Sequence, residues 1–61
     1  MTTEAAEALV NRAWAVSTPH RLTGDHPLVR AIWTLEDALD FHDSDVAHAA
    51  ARVETLIGDL P

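Results

Sequence analysis

The stretch PLVRAIWTLEDALDFH, residues 27–42, decides the fold of this chain. Its apolar seam recurs at spacings of four, three, four and three residues, at Leu28, Ile32, Leu35, Leu39 and His42. This heptad spacing places the side chains on one side of an α-helix. Asp25 or His26 can cap the start, and Pro27 suits a first helical turn, where its missing amide hydrogen costs nothing. We therefore predict a helix over about 26–42.

The residues before this stretch predict a first helix over about 3–17. Thr2 or Thr3 offers a capping oxygen to the free amides of the first turn. The apolar positions that follow a helical period are Ala6, Leu9, Val10, Ala13, Trp14 and Val16. Pro19 disfavours the helical conformation at Thr18, so the helix should end just before this pair.

The residues after this stretch predict a third helix over about 44–57. The sequence Asp-Ser-Asp at 43–45 is rich in capping oxygens. Apolar residues recur at spacings of three, four and three, at Val46, Ala49, Val53 and Leu56. Gly58 is well placed to end this helix in a left-handed conformation.

The architecture predicted from these segments is all-α, a single domain over residues 1–61. The short joint between the second and third helices indicates an antiparallel helical hairpin, to which the first helix is added. A domain of this size buries only roughly 60% of the surface that its unfolded chain exposes. The chain has no cysteine to form a disulfide. We therefore expect it to complete its core by self-association, as a homo-oligomer.

The charge of the chain limits its partners. Ten acidic residues stand against four arginines and no lysine, for a net charge of −6. Nucleic-acid binding needs a basic stripe to displace counterions from phosphates, and the arginines are spread singly at Arg12, Arg21, Arg30 and Arg52. We expect no nucleic acid and no membrane as partner. The charge favours a basic protein.

The sequence also gives expectations about the cellular location of the protein and about enzymatic activity. No segment is long and apolar enough to span a bilayer, and the first residues lack the features of a signal peptide. We expect a cytoplasmic protein, and the composition favours a bacterial genome rich in GC. The chain carries neither a glycine-rich phosphate loop nor a dinucleotide fingerprint. We expect no enzyme and no cofactor.

Two tryptophans are a large part of the apolar content of so short a chain, and this residue type is enriched at interaction hot spots. The predicted apolar interaction residues are Trp33, Val29, Leu28, Ile32 and Trp14. The stripe around Trp33 is broader than one partner helix needs. The alternative, that both tryptophans lie in the core of the chain, stays open for Trp33 and is favoured for Trp14.

A metal site is an alternative interpretation of the residues around the connection between the second and third predicted helices. His42, Asp45 and His48 carry imidazole and carboxylate ligands, which suit several transition metals. The second acidic-x-x-His pair of a di-iron bundle is missing, however. Capping aspartates and solvent-facing histidines explain the same residues, and His42 reads best as the partly buried end of the apolar seam.

Three functional hypotheses follow. The leading one is a small acidic interaction module that forms a homodimer or docks on a larger protein. The second is an acidic inhibitor, such as an antitoxin or a phage-type anti-defence protein, that blocks a basic site with Glu36, Asp37 and Asp40. Without such a role these carboxylates form a solvated face. The third is a metal-binding helical bundle formed on dimerisation.

Overall fold

The computed structural model of the chain describes residues 2–41 and 45–60. It has three helices: α1 spans Thr3–Ser17, α2 spans Pro27–Asp40 and α3 spans Val46–Gly58. The described residues contain no strand, and each helix packs against the other two. The predicted all-α class, with three short helices in this order, is confirmed.

Side chains cap the first turns of α1 and α2, as the sequence predicted. The Thr2 hydroxyl accepts a hydrogen bond of 3.1 Å from the amide of Ala5. At the start of α2, Nδ1 of His26 accepts one of 3.1 Å from the amide of Leu28, and Pro27 lies in the first turn. Each cap gives a partner to an amide that has none inside the helix.

α1 ends at Ser17, the predicted residue, but the turn that follows is not determined by Pro19 alone. Thr18 keeps helical angles (φ −61°, ψ −51°). Its amide and hydroxyl both donate to the preceding turn, which offsets the restriction that proline imposes. The amide of Leu22 then donates to the Ser17 carbonyl, and that of Arg21 to the Thr18 carbonyl. This is the hydrogen-bond pair of a Schellman motif, with Arg21 in the left-handed conformation (φ 52°) that glycine usually supplies.

The joint between α2 and α3 starts earlier than predicted. α2 ends at Asp40, two residues before the predicted end at 42, and Phe41 (φ −100°, ψ 8°) lies outside the helix. α3 begins two residues after the predicted start at 44, with Asp45 in the capping position. His42, the predicted end of the apolar seam, lies outside the described residues.

The predicted left-handed stop at Gly58 is wrong. Gly58 is the last residue of α3, and no described glycine has a positive φ. The amide of Asp59 continues the helical pattern, with hydrogen bonds to the carbonyls of Thr55 (3.1 Å) and Leu56 (3.3 Å). Because Asp59 satisfies these carbonyls with right-handed angles, no left-handed residue is needed.

The core lies between all three helices, with α2 as its main contributor. The largest fully buried side chains are Leu28, Ile32, Leu35 and Val53. Fully buried alanines allow close approach of the neighbouring helices, namely Ala6 and Ala13 of α1 and Ala50 of α3. The most extensive contact joins α2 and α3, the pair predicted to form the hairpin.

The first helix packs within its own chain. The Cα radius of gyration is 10.7 Å, close to the roughly 10.5 Å expected of a compact domain of this length. An α1 extended away from the other helices would raise this value. None of the helices in the described ranges is long and apolar enough to cross a membrane.

Candidate interaction surfaces around α2

Trp33 is the large apolar side chain that α2 leaves half outside the core. It is 48% exposed. The benzo edge of its indole lies against Gly24 in the connection between α1 and α2. A Cβ built on Gly24 would lie 3.1 Å from Cη2 and 3.6 Å from Cζ3 of the ring. Gly24 therefore provides the space in which this part of the indole lies.

Phe41 is the second exposed aromatic residue of the described chain, at 80% exposure. It directly follows the last residue of α2 and comes eight residues after Trp33 in the sequence. Asp37 lies between them and is exposed. We call Trp33, Asp37 and Phe41 the outer face of α2. The sequence reading did not select Phe41, although an aromatic residue outside the heptad seam was a signal for it.

The other predicted apolar interaction residues lie elsewhere. Leu28 and Ile32 are fully buried, and Val29 is 3% exposed. Trp14 is partly buried and packs against the core. Because α1 and α3 both pack on α2, they cover the stripe that the sequence reading offered to a partner. The structure therefore places Leu28, Val29 and Ile32 inside the chain and leaves Trp33 on its surface.

An open groove of about 300 Å³ runs between α1 and α2. Its lining residues are Glu7, Val10, Asn11, Glu36, Leu39 and Asp40, and we call it the acidic groove. Two of the three predicted acidic residues, Glu36 and Asp40, thus lie at one site, whereas Asp37 is on the outer face. Glu7, which the sequence reading placed only near the start of a helix, joins them from α1.

A second open groove, of about 320 Å³, lies between α2 and α3. Its lining residues are Asp25, Pro27, Arg30, Ala31, Thr34, Ala49 and Arg52, and we call it the arginine groove. Arg30 and Arg52 are 22 positions apart in the sequence, and for that reason they were expected to be isolated charges. The packing of α3 on α2 brings both to one groove.

The weak metal candidates do not form a described site. Asp45 and His48 are both exposed, and His42 lies outside the described residues. Within residues 2–41 and 45–60, no group of three or more histidines and carboxylates is arranged to hold a metal ion.

Comparison of the chain with protein-family models, with curated proteins and with solved structures found no match. The functional proposals therefore depend on the residues and the geometry described above.

Proposed function

We propose that this chain is a small acidic protein–protein interaction module that docks through the outer face of α2. The observation that carries the proposal is the pair of exposed aromatic side chains, Trp33 and Phe41. Aromatic residues bury a large area on binding, and tryptophan is the residue type most enriched at hot spots. Leu28, Ile32 and Leu35 are fully buried and already pack α2 into the core. The outer aromatic residues of α2 are therefore not needed to complete the core.

The partner that the charges favour is a protein with a basic surface. The acidic groove brings Glu7, Glu36 and Asp40 to the α1 side of α2, and Asp37 adds a carboxylate between the two aromatics. Opposite charge on the partner would speed the encounter and fix its orientation. A second copy of this chain would instead bring another net charge of −6 to the interface.

The acidic inhibitor is a second candidate, favoured by the convergence of three carboxylates on one groove. In that reading the acidic groove, and not the aromatic pair, contributes most of the binding energy. Its affinity for a basic target would fall steeply with salt, because exposed charges are screened beyond about 10 Å at 0.1 M ionic strength. Apolar docking through Trp33 would depend little on salt.

The test is native mass spectrometry of the protein purified from its own cells. Three variants are compared with the parent: a Trp33→Ser/Phe41→Ser double substitution, a Glu36→Gln/Asp40→Asn double substitution, and Thr55→Ser as an exposed control on α3. We expect a stoichiometric complex with the parent and the control, and its loss with the aromatic double variant. Loss only with the carboxamide double variant would favour the inhibitor.

Two results would count against the interaction module. One is a bare monomer from the parent protein under mild, low-salt purification. The other is a complex that survives the aromatic substitutions unchanged. Circular dichroism of each variant provides the folding control, since all five substituted side chains lie at or near the surface.

A further inference from the structure

The arginine groove has the opposite charge to the rest of the molecule. Arg30 comes from the first turn of α2 and Arg52 from the second turn of α3. Two of the four arginines of a chain with a net charge of −6 thus line a single groove. The groove also begins at the N-terminal end of α2, where the helix dipole adds a positive partial charge.

Neither of these guanidinium groups has a carboxylate partner among the described residues. There the one ion pair within 4.0 Å joins Arg12 to Glu54, at 3.8 Å. Both of those side chains are more than half exposed, and such surface pairs contribute little to stability. The donors of Arg30 and Arg52 are therefore available to a ligand.

The floor of the groove leaves room for that ligand. Ala31 and Ala49 are buried and small, and the space between the helices is about 320 Å³. The Thr34 hydroxyl donates to the Arg30 carbonyl at 3.1 Å, so its proton is already engaged and its oxygen remains an acceptor. Recognition of a ligand would therefore come mainly from the two guanidinium groups.

We propose that the arginine groove binds a small dianionic oxyanion, a phosphate monoester or a dicarboxylate. A guanidinium group donates two parallel hydrogen bonds to either oxyanion, and two arginines supply the charge that balances a dianion. The arginine groove is distinct from the acidic groove, because it lies between α2 and α3, whereas the acidic groove lies between α1 and α2.

Asp25 allows a direct test of anion binding in the arginine groove. Its carboxylate lines the same groove and opposes the binding of any anion there. Replacing it with asparagine removes the charge while keeping the shape of the side chain. The variant Asp25→Asn should therefore bind the oxyanion several times more tightly than the parent protein.

The experiment is an NMR titration that follows the side-chain Nε–H signals of the four arginines. Inorganic phosphate and succinate are added in separate titrations, with sodium chloride holding the ionic strength constant. We expect saturable shifts at Arg30 and Arg52, with Arg12 and Arg21 as internal controls that do not move. Tighter binding of phosphate would assign the phosphate chemistry, and tighter binding of succinate the dicarboxylate.

Variants then test each contact. Arg30→Gln or Arg52→Gln should weaken binding at least about tenfold, the loss expected for a charge-assisted hydrogen bond. Arg30→Lys keeps the charge but not the paired donors, so it should recover only part of the affinity. Equal, unsaturable shifts at all four arginines of the parent protein would overturn the proposal. Unchanged affinity in both glutamine variants would also overturn it.

Discussion

His26 shows how one side chain determines where a helix starts. Its Nδ1 accepts the amide hydrogen of Leu28, one of the first-turn amides that have no partner inside the helix. The cap and Pro27 in the first turn together fix the start of α2.

We predict from this contact that removing the His26 side chain destabilises α2. In His26→Ala the amide of Leu28 loses its hydrogen-bond partner, so the loss of stability should approach that of other helix caps, about 0.5–2 kcal/mol. The check is urea unfolding at neutral pH of the parent, His26→Ala and His26→Asn.

Asparagine is itself a good helix cap, so His26→Asn should keep most of the stability that His26→Ala loses. His48→Ala is the matched control, because His48 is exposed on α3 and its removal should leave the stability nearly unchanged. A His26→Ala variant as stable as the parent would show that this cap does not stabilise α2.

At the scale of elements, the apolar period predicted α2 and its buried side because Leu28, Ile32 and Leu35 must be shielded from water. The sequence predicted the bounds of α1, Thr3–Ser17, but not the end of α2 or the start of α3. It also did not indicate the left-handed Arg21 in the turn after α1, a conformation that no residue type other than glycine signals reliably. The two grooves were also hidden, because they bring together residues of different helices, such as Arg30 with Arg52.

The contact between Gly24 and Trp33 gives a prediction about the exposed indole. In Gly24→Ala the new methyl group would lie 3.1 Å from Cη2 of the ring, so the ring must move outward. We expect a red-shifted Trp33 emission, measured in a Trp14→Phe background so that Trp33 is the only fluorophore. Stability should change by less than about 1 kcal/mol, because alanine also restricts the unfolded chain.

The control for that variant is Gly58→Ala. A Cβ at Gly58 meets no atom within 4 Å, and the position is helical. Alanine there should stabilise the protein by up to about 1 kcal/mol without moving the emission. An emission that is the same in Gly24→Ala/Trp14→Phe as in Trp14→Phe alone would mean that the ring does not lie against the glycine in solution.

At the scale of the whole molecule, the core formed by the three helices removes the reason for which self-association was predicted. The sequence reading expected a second copy to cover the apolar stripe of α2, but α1 and α3 of the same chain cover it. A homodimer would have to form through the outer face, with Trp33 and Phe41. It would also have to overcome the repulsion between two chains that each carry a net charge of −6.

Salt therefore separates the two kinds of association. We predict that any homodimer strengthens as salt is raised from about 0.05 to 0.5 M, since screening weakens the repulsion between copies. Binding to a basic partner should weaken over the same range. Sedimentation equilibrium of the parent and of Trp33→Ser measures the first effect. A dimer that persists in Trp33→Ser, or that dissociates as salt is raised, would contradict this prediction.

The two grooves beside α2 have a consequence for the binding of two ligands at once. A basic protein seated on the acidic groove would cover the α1 side of the helix and leave the α3 side in contact with water. An oxyanion could then enter between Arg30 and Arg52 without competing for the acidic groove. A protein that docks on Trp33 would instead reach the edge of the arginine groove, because residues 30 and 33 are neighbours on the surface of a helix, and the two ligands would then affect each other's binding.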